Sequence, residues 1–120
     1  MSRCCDGSGR ASRVVSEPHS EAAAAIMSVG PAYQALLAEA QVDAGVRHGL
    51  RPEVAGPLVT QTMAGSAALL RSRDYDTLAV RRGVTSPGGS TARGLAALEA
   101  AGIRTAFQSA IDAVILGGTR

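Results

Sequence analysis

The stretch Pro52-Glu53-Val54-Ala55-Gly56-Pro57-Leu58-Val59-Thr60-Gln61-Thr62-Met63-Ala64-Gly65-Ser66-Ala67-Ala68-Leu69-Leu70 decides the fold class. Val54, Leu58, Val59, Met63, Ala67 and Leu70 recur at helical spacing, so they share one face of a long helix. Pro52 suits the start, where a missing N–H costs nothing. Pro57 lies inside the pattern and predicts a kink, unless the helix begins later. The small residues Ala64-Gly65-Ser66-Ala67-Ala68 make this part slim and allow a neighbouring backbone to come close.

Both flanks carry the same period. Upstream, Gly30-Pro31 opens a helix in which Tyr33, Leu36, Leu37, Ala40 and Ala44 fall at steps of three and four, the pattern of one buried stripe. Gly45 and Gly49 loosen its end, and Gly49-Leu50-Arg51-Pro52 breaks it. Downstream, residues 71–76 form a polar connection, and Asp74 is a candidate cap for a short helix over residues 75–82. A fourth helix follows a glycine-rich loop, with Ser90 as its candidate cap and Leu95 and Leu98 on its buried side. Gly102 ends it in the place where helices reverse into a left-handed residue. A fifth helix carries Phe107, Ala110, Ile111, Val114 and Ile115 on one face and stops at Gly117-Gly118. No stretch alternates with a period of two between strand-like flanks. The expected class is all-α, with about five helices.

Composition narrows the function classes. The 120 residues are 46% hydrophobic and 18% charged, which favours a globular chain over a disordered one. Aromatic residues are only 2%, and Ala, Leu and Val supply most of the apolar surface. Small side chains bury little area each, at roughly 25 cal/mol per Å², so a core of this size gains from a second chain. The net charge of +2 comes entirely from arginine on the basic side. Those arginines are scattered; Asp74 and Asp76 dilute the densest group, Arg71, Arg73, Arg81 and Arg82. A nucleic-acid interface would instead present a continuous basic face with stacking aromatics, so no nucleic-acid partner is expected. Cys4 and Cys5 are adjacent, and neighbouring cysteines do not bridge without strain. A structural zinc wants four ligands, which His19 and His48 do not complete, so free thiols and no metal are expected. The apolar run 22–27 is far short of the roughly 18 residues that span a membrane. The reading is a soluble cytoplasmic protein with no membrane partner. Residues 1–13, rich in Ser, Gly, Arg and Cys, read as a disordered or unrelated leader, and 14–118 as the domain. Gly7-Ser8-Gly9 lacks the strand before it and the strand–loop–helix unit after it that a nucleotide loop needs.

The chemistry concentrates in Gly83-Val84-Thr85-Ser86-Pro87-Gly88-Gly89-Ser90-Thr91, the least helical part of the chain. Pro87 fixes its own backbone and pushes Ser86 out of helical geometry. Gly88 and Gly89 permit a tight turn and bring backbone N–H groups close to a ligand. Those donors lie at the N-terminus of the next helix, where unpaired amides and the dipole favour an anion. Hydroxyls of Thr85, Ser86, Ser90 and Thr91 surround that point. The residues suit a small carboxylate or phosphate; they also suit a plain turn and helix cap.

The run from Val84 to Thr91, followed by Gly94-Leu95-Ala96-Ala97-Leu98-Glu99 and Gly102-Ile103-Arg104, resembles the signature of the pyrroline-5-carboxylate reductases. Three further blocks agree in order and spacing: Gly30-Pro31-Ala32-Tyr33, Asp43-Ala44-Gly45-Val46 and Gln61-Thr62-Met63-Ala64-Gly65. The similarity runs from about Val14 to about Val114. The resemblance implies a helical dimerisation domain interleaved with a second copy, in a family that reduces 1-pyrroline-5-carboxylate to proline with NADPH or NADH, the last step of proline biosynthesis. It also implies an imino-acid site in which Ser86 and the backbone of Gly88, Gly89, Ser90 and Thr91 take the substrate carboxylate. Thr91, the implied catalytic residue, would hydrogen-bond the ring nitrogen. No covalent nucleophile is then required, and catalysis rests on positioning and charge placement.

Some features depart from that pattern. Ser28-Val29 replaces the family's Gly-Ser before Gly-Pro-Ala-Tyr, and Gly83 stands where a longer residue is expected. Tyr33 and Asp43 match family blocks but also read as packing and surface charge, and Glu39 as a solvated helix face. A Rossmann domain does not fit into residues 1–29, so the cofactor-binding site is expected to be absent and the reading frame truncated, frameshifted or split from a partner. Three functions follow as expectations: a reductase-family chain inactive alone, a non-catalytic oligomerisation module pairing with itself or a full-length reductase, and an enzyme completed by a separate nucleotide-binding subunit.

Overall fold

The computed structural model describes residues 2–4, 13–15 and 19–117. Among them are six helices: α1 (Ser20–Met27), α2 (Gly30–Arg47), α3 (Pro52–Ser72), α4 (Thr77–Gly83), α5 (Ser90–Ala100) and α6 (Ile103–Gly117). Two three-residue strands, β1 (Ser2–Cys4) and β2 (Arg13–Val15), pair antiparallel with Ser2 opposite Val15 and Cys4 opposite Arg13. The helical class expected from the sequence is therefore observed, with one more helix than the five anticipated. The addition is α1, where Ala22 to Ala25 form an alanine run of high helix propensity. The ribbon gives no signal in sequence: three residues per strand are too few to establish an alternation. Cys5 and most of the expected leader lie outside the described residues.

The chain divides into two compact units, Met1–Gln34 with Arg104–Arg120, and Ala35–Ile103. In the first, α1 gives way to α2 across only Ser28 and Val29, and Ala32 and Tyr33 donate to the Val29 carbonyl at 3.1 and 3.3 Å. Pro31 occupies the second position of α2, where no N–H is needed. Ala25 of α1 is fully buried.

In the second unit, a short connection over residues 48–51 joins α2 to α3. Gly49 takes φ +104°, and the Leu50 N–H returns to the Gly45 carbonyl at 3.0 Å, closing a left-handed helix end that L side chains resist. A Cβ built on Gly45 would lie 3.2 Å from Leu50 Cδ1 and 3.9 Å from the Ala55 Cβ, so a glycine there leaves room for Leu50 and the start of α3 at the junction. Ala55 is buried at that contact, with 1% of its surface exposed. Pro57 does not end α3, which runs unbroken from Pro52 to Ser72. The bond it forgoes is the one to the Glu53 carbonyl in the first turn, and Glu53 is exposed, so water can take that oxygen.

The α3–α4 connection corrects one expectation. Asp76, not Asp74, caps α4: its Oδ1 accepts from the Ala79 N–H at 3.0 Å. Asp74 and Tyr75 instead adopt φ +52° and +64°, and the Tyr75 N–H reaches back to the Leu70 carbonyl at 2.8 Å. They finish α3, so α4 starts two residues later than anticipated.

The apolar stripes are real but not buried. Among the described residues only Ala25 and Ala55 form a buried core, whereas Leu36 is 63% exposed, Leu58 54% and Leu98 50%. Full burial of one such side chain is worth about 1.5–3 kcal/mol. Much of that stabilisation is unclaimed within one chain.

Candidate functional site: the turn at the start of α5

The site lies wholly in the unit Ala35–Ile103, between α4 and α5. Ser86-Pro87-Gly88-Gly89 has the marks of a type II turn. Pro87 sits at its second position, Gly88 takes φ +69° at its third, and the Gly89 N–H donates to the Ser86 carbonyl at 3.0 Å. Gly89 follows in extended geometry, φ −78° and ψ 178°, as the residue preceding α5. Its carbonyl accepts the Arg93 N–H at 3.1 Å, the first hydrogen bond into the helix.

This geometry moves the cap. Ser90 is the cap expected from sequence, but the turn is complete at Gly89, so Ser90 is already helical and no side chain caps α5. The amides of Ser90, Thr91 and Ala92 therefore stand ahead of the first intrahelical bond with no capping hydroxyl on them. No acidic residue sits in the first turn either. About half a positive elementary charge at that end has no capping or acidic side chain of α5 against it.

The expected ring of hydroxyls is only partly assembled. Ser86 belongs to it: a Cβ added at Gly89 would sit 3.5 Å from the Ser86 Cβ and 3.7 Å from its Oγ, so the serine lies against the start of α5. Ser90 and Thr91 occupy the first two positions of α5, both exposed. Thr85 does not join them, because its hydroxyl donates to the Arg81 carbonyl and closes the end of α4. A concavity of about 280 Å³ adjoins the turn, lined by Leu78, Arg81 and Arg82 of α4, Thr85, Ser86 and Pro87 of the loop, and Ala92 and Leu95 of α5. Of the anticipated site residues only Ser86 lines it; Gly88, Gly89, Ser90 and Thr91 do not.

Sequence reasoning misses one residue. Arg93 Nη1 donates to the Gly88 carbonyl at 2.8 Å, tying the helix to the turn five residues back. The available signal is electrostatic: a cation next to a helix N-terminus opposes the dipole. Among the described residues no three of His, Cys, Asp and Glu come together as a metal site. A dinucleotide is held by parallel strands, a glycine turn and a helix, whereas the described strands are a short antiparallel ribbon. No strand, glycine turn and helix unit of that kind is present among the described residues.

Comparison with known proteins gives this arrangement a lineage. Residues 17–117 match the family model described as pyrroline-5-carboxylate reductase dimerisation. The chain belongs to the pyrroline-5-carboxylate reductase family. It is 43% identical to the pyrroline-5-carboxylate reductase of Mycobacterium tuberculosis over 82% of this chain and 39% of that one. Among solved structures, the Coxiella burnetii pyrroline-5-carboxylate reductase superposes with a TM-score of 0.82 at 35% identity, covering 88% of this chain and 39% of its own. The Plasmodium falciparum pyrroline carboxylate reductase, solved with NADP bound, gives 0.78 at 36% identity over 83% and 38%. The chain thus spans about two-fifths of the length of these reductases, and the segment it shares includes the family's dimerisation region and the turn at Ser86. No helix among the described residues is long and apolar enough to cross a membrane.

Proposed function

We propose that this chain is the dimerisation and substrate-loop half of a pyrroline-5-carboxylate reductase, acting in proline biosynthesis in the cytoplasm. The observation that carries the reading is the turn at Ser86 to Gly89, which leaves three uncapped amides at the start of α5 inside a family-matched segment. The carboxylate of 1-pyrroline-5-carboxylate rests against Ser86 and the backbone of Gly88, Gly89, Ser90 and Thr91. Charge-assisted hydrogen bonds of this kind are shorter and stronger than neutral ones, and they set the orientation of the ring. Thr91 offers its hydroxyl to the ring nitrogen and steadies the imine. The reducing equivalent comes from NADPH or NADH, held by a nucleotide-binding domain outside the described residues. The chain by itself is then inactive, and a separate nucleotide-binding subunit or a full-length reductase completes the site.

The exposed apolar side chains on α2, α3 and α5 support the companion reading that the chain pairs with itself as a homodimer or higher oligomer, or with a full-length reductase. Such pairing also serves a purely structural module, and turnover separates the two readings. The assay is pyrroline-5-carboxylate-dependent NADPH oxidation by the purified chain, alone and with a nucleotide-binding domain of the family. No turnover alone and measurable turnover with the partner is the expected result, with Thr91→Val and Ser86→Ala lowering it. Turnover by the chain alone overturns the half-site reading, and full activity in both variants overturns the assignment of the loop.

A further inference from the structure

The unexplained group at the turn is Arg93. Its guanidinium is exposed, yet it is committed to one backbone oxygen, the Gly88 carbonyl, at 2.8 Å. That carbonyl belongs to the peptide linking Gly88 to Gly89. The N–H on the other side of the same peptide is held by the Ser86 carbonyl at 3.0 Å. A peptide unit is planar, so fixing its oxygen and its N–H from opposite sides fixes its orientation. The next two amides, those of Ser90 and Thr91, are both among the groups proposed to meet the carboxylate, and they follow directly from that plane.

A cation at this end of a helix is unfavourable, since the first turn already carries positive partial charge. No aspartate or glutamate in the first turn offsets it. Arg93 is therefore poorly explained as a helix-stabilising residue. The like-charge accumulation is relieved when an anion arrives at the uncapped amides, and the relief adds to the affinity for that anion.

We infer that Arg93 is a positioning residue for the substrate carboxylate, holding the Gly88–Gly89 peptide in place and adding positive charge behind the amides of α5. The inference rests on the carboxylate-loop reading of the same turn. Arg93 does not reach the ligand; it acts through the Gly88 carbonyl and through its field. Its preference is for the carboxylate, so a ligand with the same ring and no anionic group should be indifferent to it.

The test is an amide-resolved NMR titration of the 120-residue chain with L-proline and, separately, with L-prolinamide. Wild-type chain should show proline-dependent shifts at Ser90, Thr91 and Ala92, and Arg93→Met should weaken proline about five-fold, a loss expected for one helix-end charge. Arg93→Lys, which keeps the charge and a donor, should recover most of that loss, and prolinamide should bind neither variant more weakly than wild type. If wild-type chain shows no proline-dependent shift, the carboxylate reading fails and takes this inference with it. If wild type responds and Arg93→Met binds proline equally well, only the role of Arg93 is overturned. An equal loss of proline and prolinamide in Arg93→Met also overturns it, because that pattern marks general damage. Arg93→Gln, read in the same way, replaces the Met variant if circular dichroism shows that variant to have lost helix.

Discussion

Alanine substitution at the two adjacent glycines of the turn should have unequal consequences. At Gly88 an added Cβ would meet nothing within 4 Å, so no steric contact contributes. The whole effect is backbone: φ is +69°, and an L side chain in the left-handed region costs about 1–2 kcal/mol. Gly→Ala also gains about 0.4–1 kcal/mol by restricting the unfolded chain. The difference leaves Gly88→Ala destabilised by about 1 kcal/mol. At Gly89 φ is −78°, which any residue adopts, but the new Cβ would lie 3.3 Å from the Ser86 carbonyl oxygen. That contact asks the oxygen to yield by a few tenths of an ångström, roughly cancelling the entropic gain, so Gly89→Ala should fall within about 0.5 kcal/mol of wild type. Gly88→Asn should lie between them, because asparagine tolerates the left-handed region better than alanine. Urea unfolding at one fixed protein concentration measures all three, since association contributes to the apparent stability. A neutral Gly88→Ala, or Gly89→Ala as the worse of the pair, would refute the type II geometry from which the site is built.

Two further outcomes follow from the helices. Asp76→Ala removes the side chain that accepts from the Ala79 N–H and should cost about 1 kcal/mol in the same unfolding assay, whereas Asp74→Ala should not reproduce a cap loss; the reverse order would restore the cap expected from sequence. The double variant Leu36→Asp/Leu58→Asp changes two side chains that are 63% and 54% exposed in one chain, so it should leave helix content intact and weaken self-association at least roughly 100-fold. Sedimentation across a concentration series reads this, and an unchanged oligomer would place the interface elsewhere.

The elements most legible in the sequence are those with strong local chemistry. Gly49 and Gly102 read as helix ends, and both adopt positive φ. Pro52 reads as a helix start, and it is the first residue of α3. The errors lie where two local solutions compete. Asp74 and Asp76 both precede a helical pattern, and only the return of the Tyr75 N–H to the Leu70 carbonyl decides which one is left to cap. Ser90 and Gly89 compete in the same way, and the turn closed on Ser86 hands the cap position to the glycine. Thr85 looks like a ligand group because a hydroxyl beside a glycine turn has two uses; here it serves the end of α4. For Arg93 the sequence offers only the oddity of a cation near a helix N-terminus, because its partner is a backbone oxygen, which carries no residue-type signature.

The apolar stripes expose a deeper ambiguity, one that no refinement of local rules removes. Helical periodicity reports that a face avoids water, and it is silent on whether the covering surface belongs to the same chain. Val54, Leu58, Val59, Met63 and Leu70 read as one stripe, and the structure leaves Val54 and Leu58 exposed while the other three are half-buried. The deciding quantity is how much apolar surface one chain can cover, and among the described residues the covered core is two alanines. Alanine is the side chain of closest backbone approach, so the fold uses its small residues for internal contacts, as at Gly45 and Ala55, and presents many of its larger ones outward. That division is what an association domain requires: slim contacts to hold the helices of one chain together, and leucine, isoleucine and valine in reserve for the surface of the next. The turn at Ser86 is carried between α4 and α5 of this framework, and every residue forming it comes from one chain.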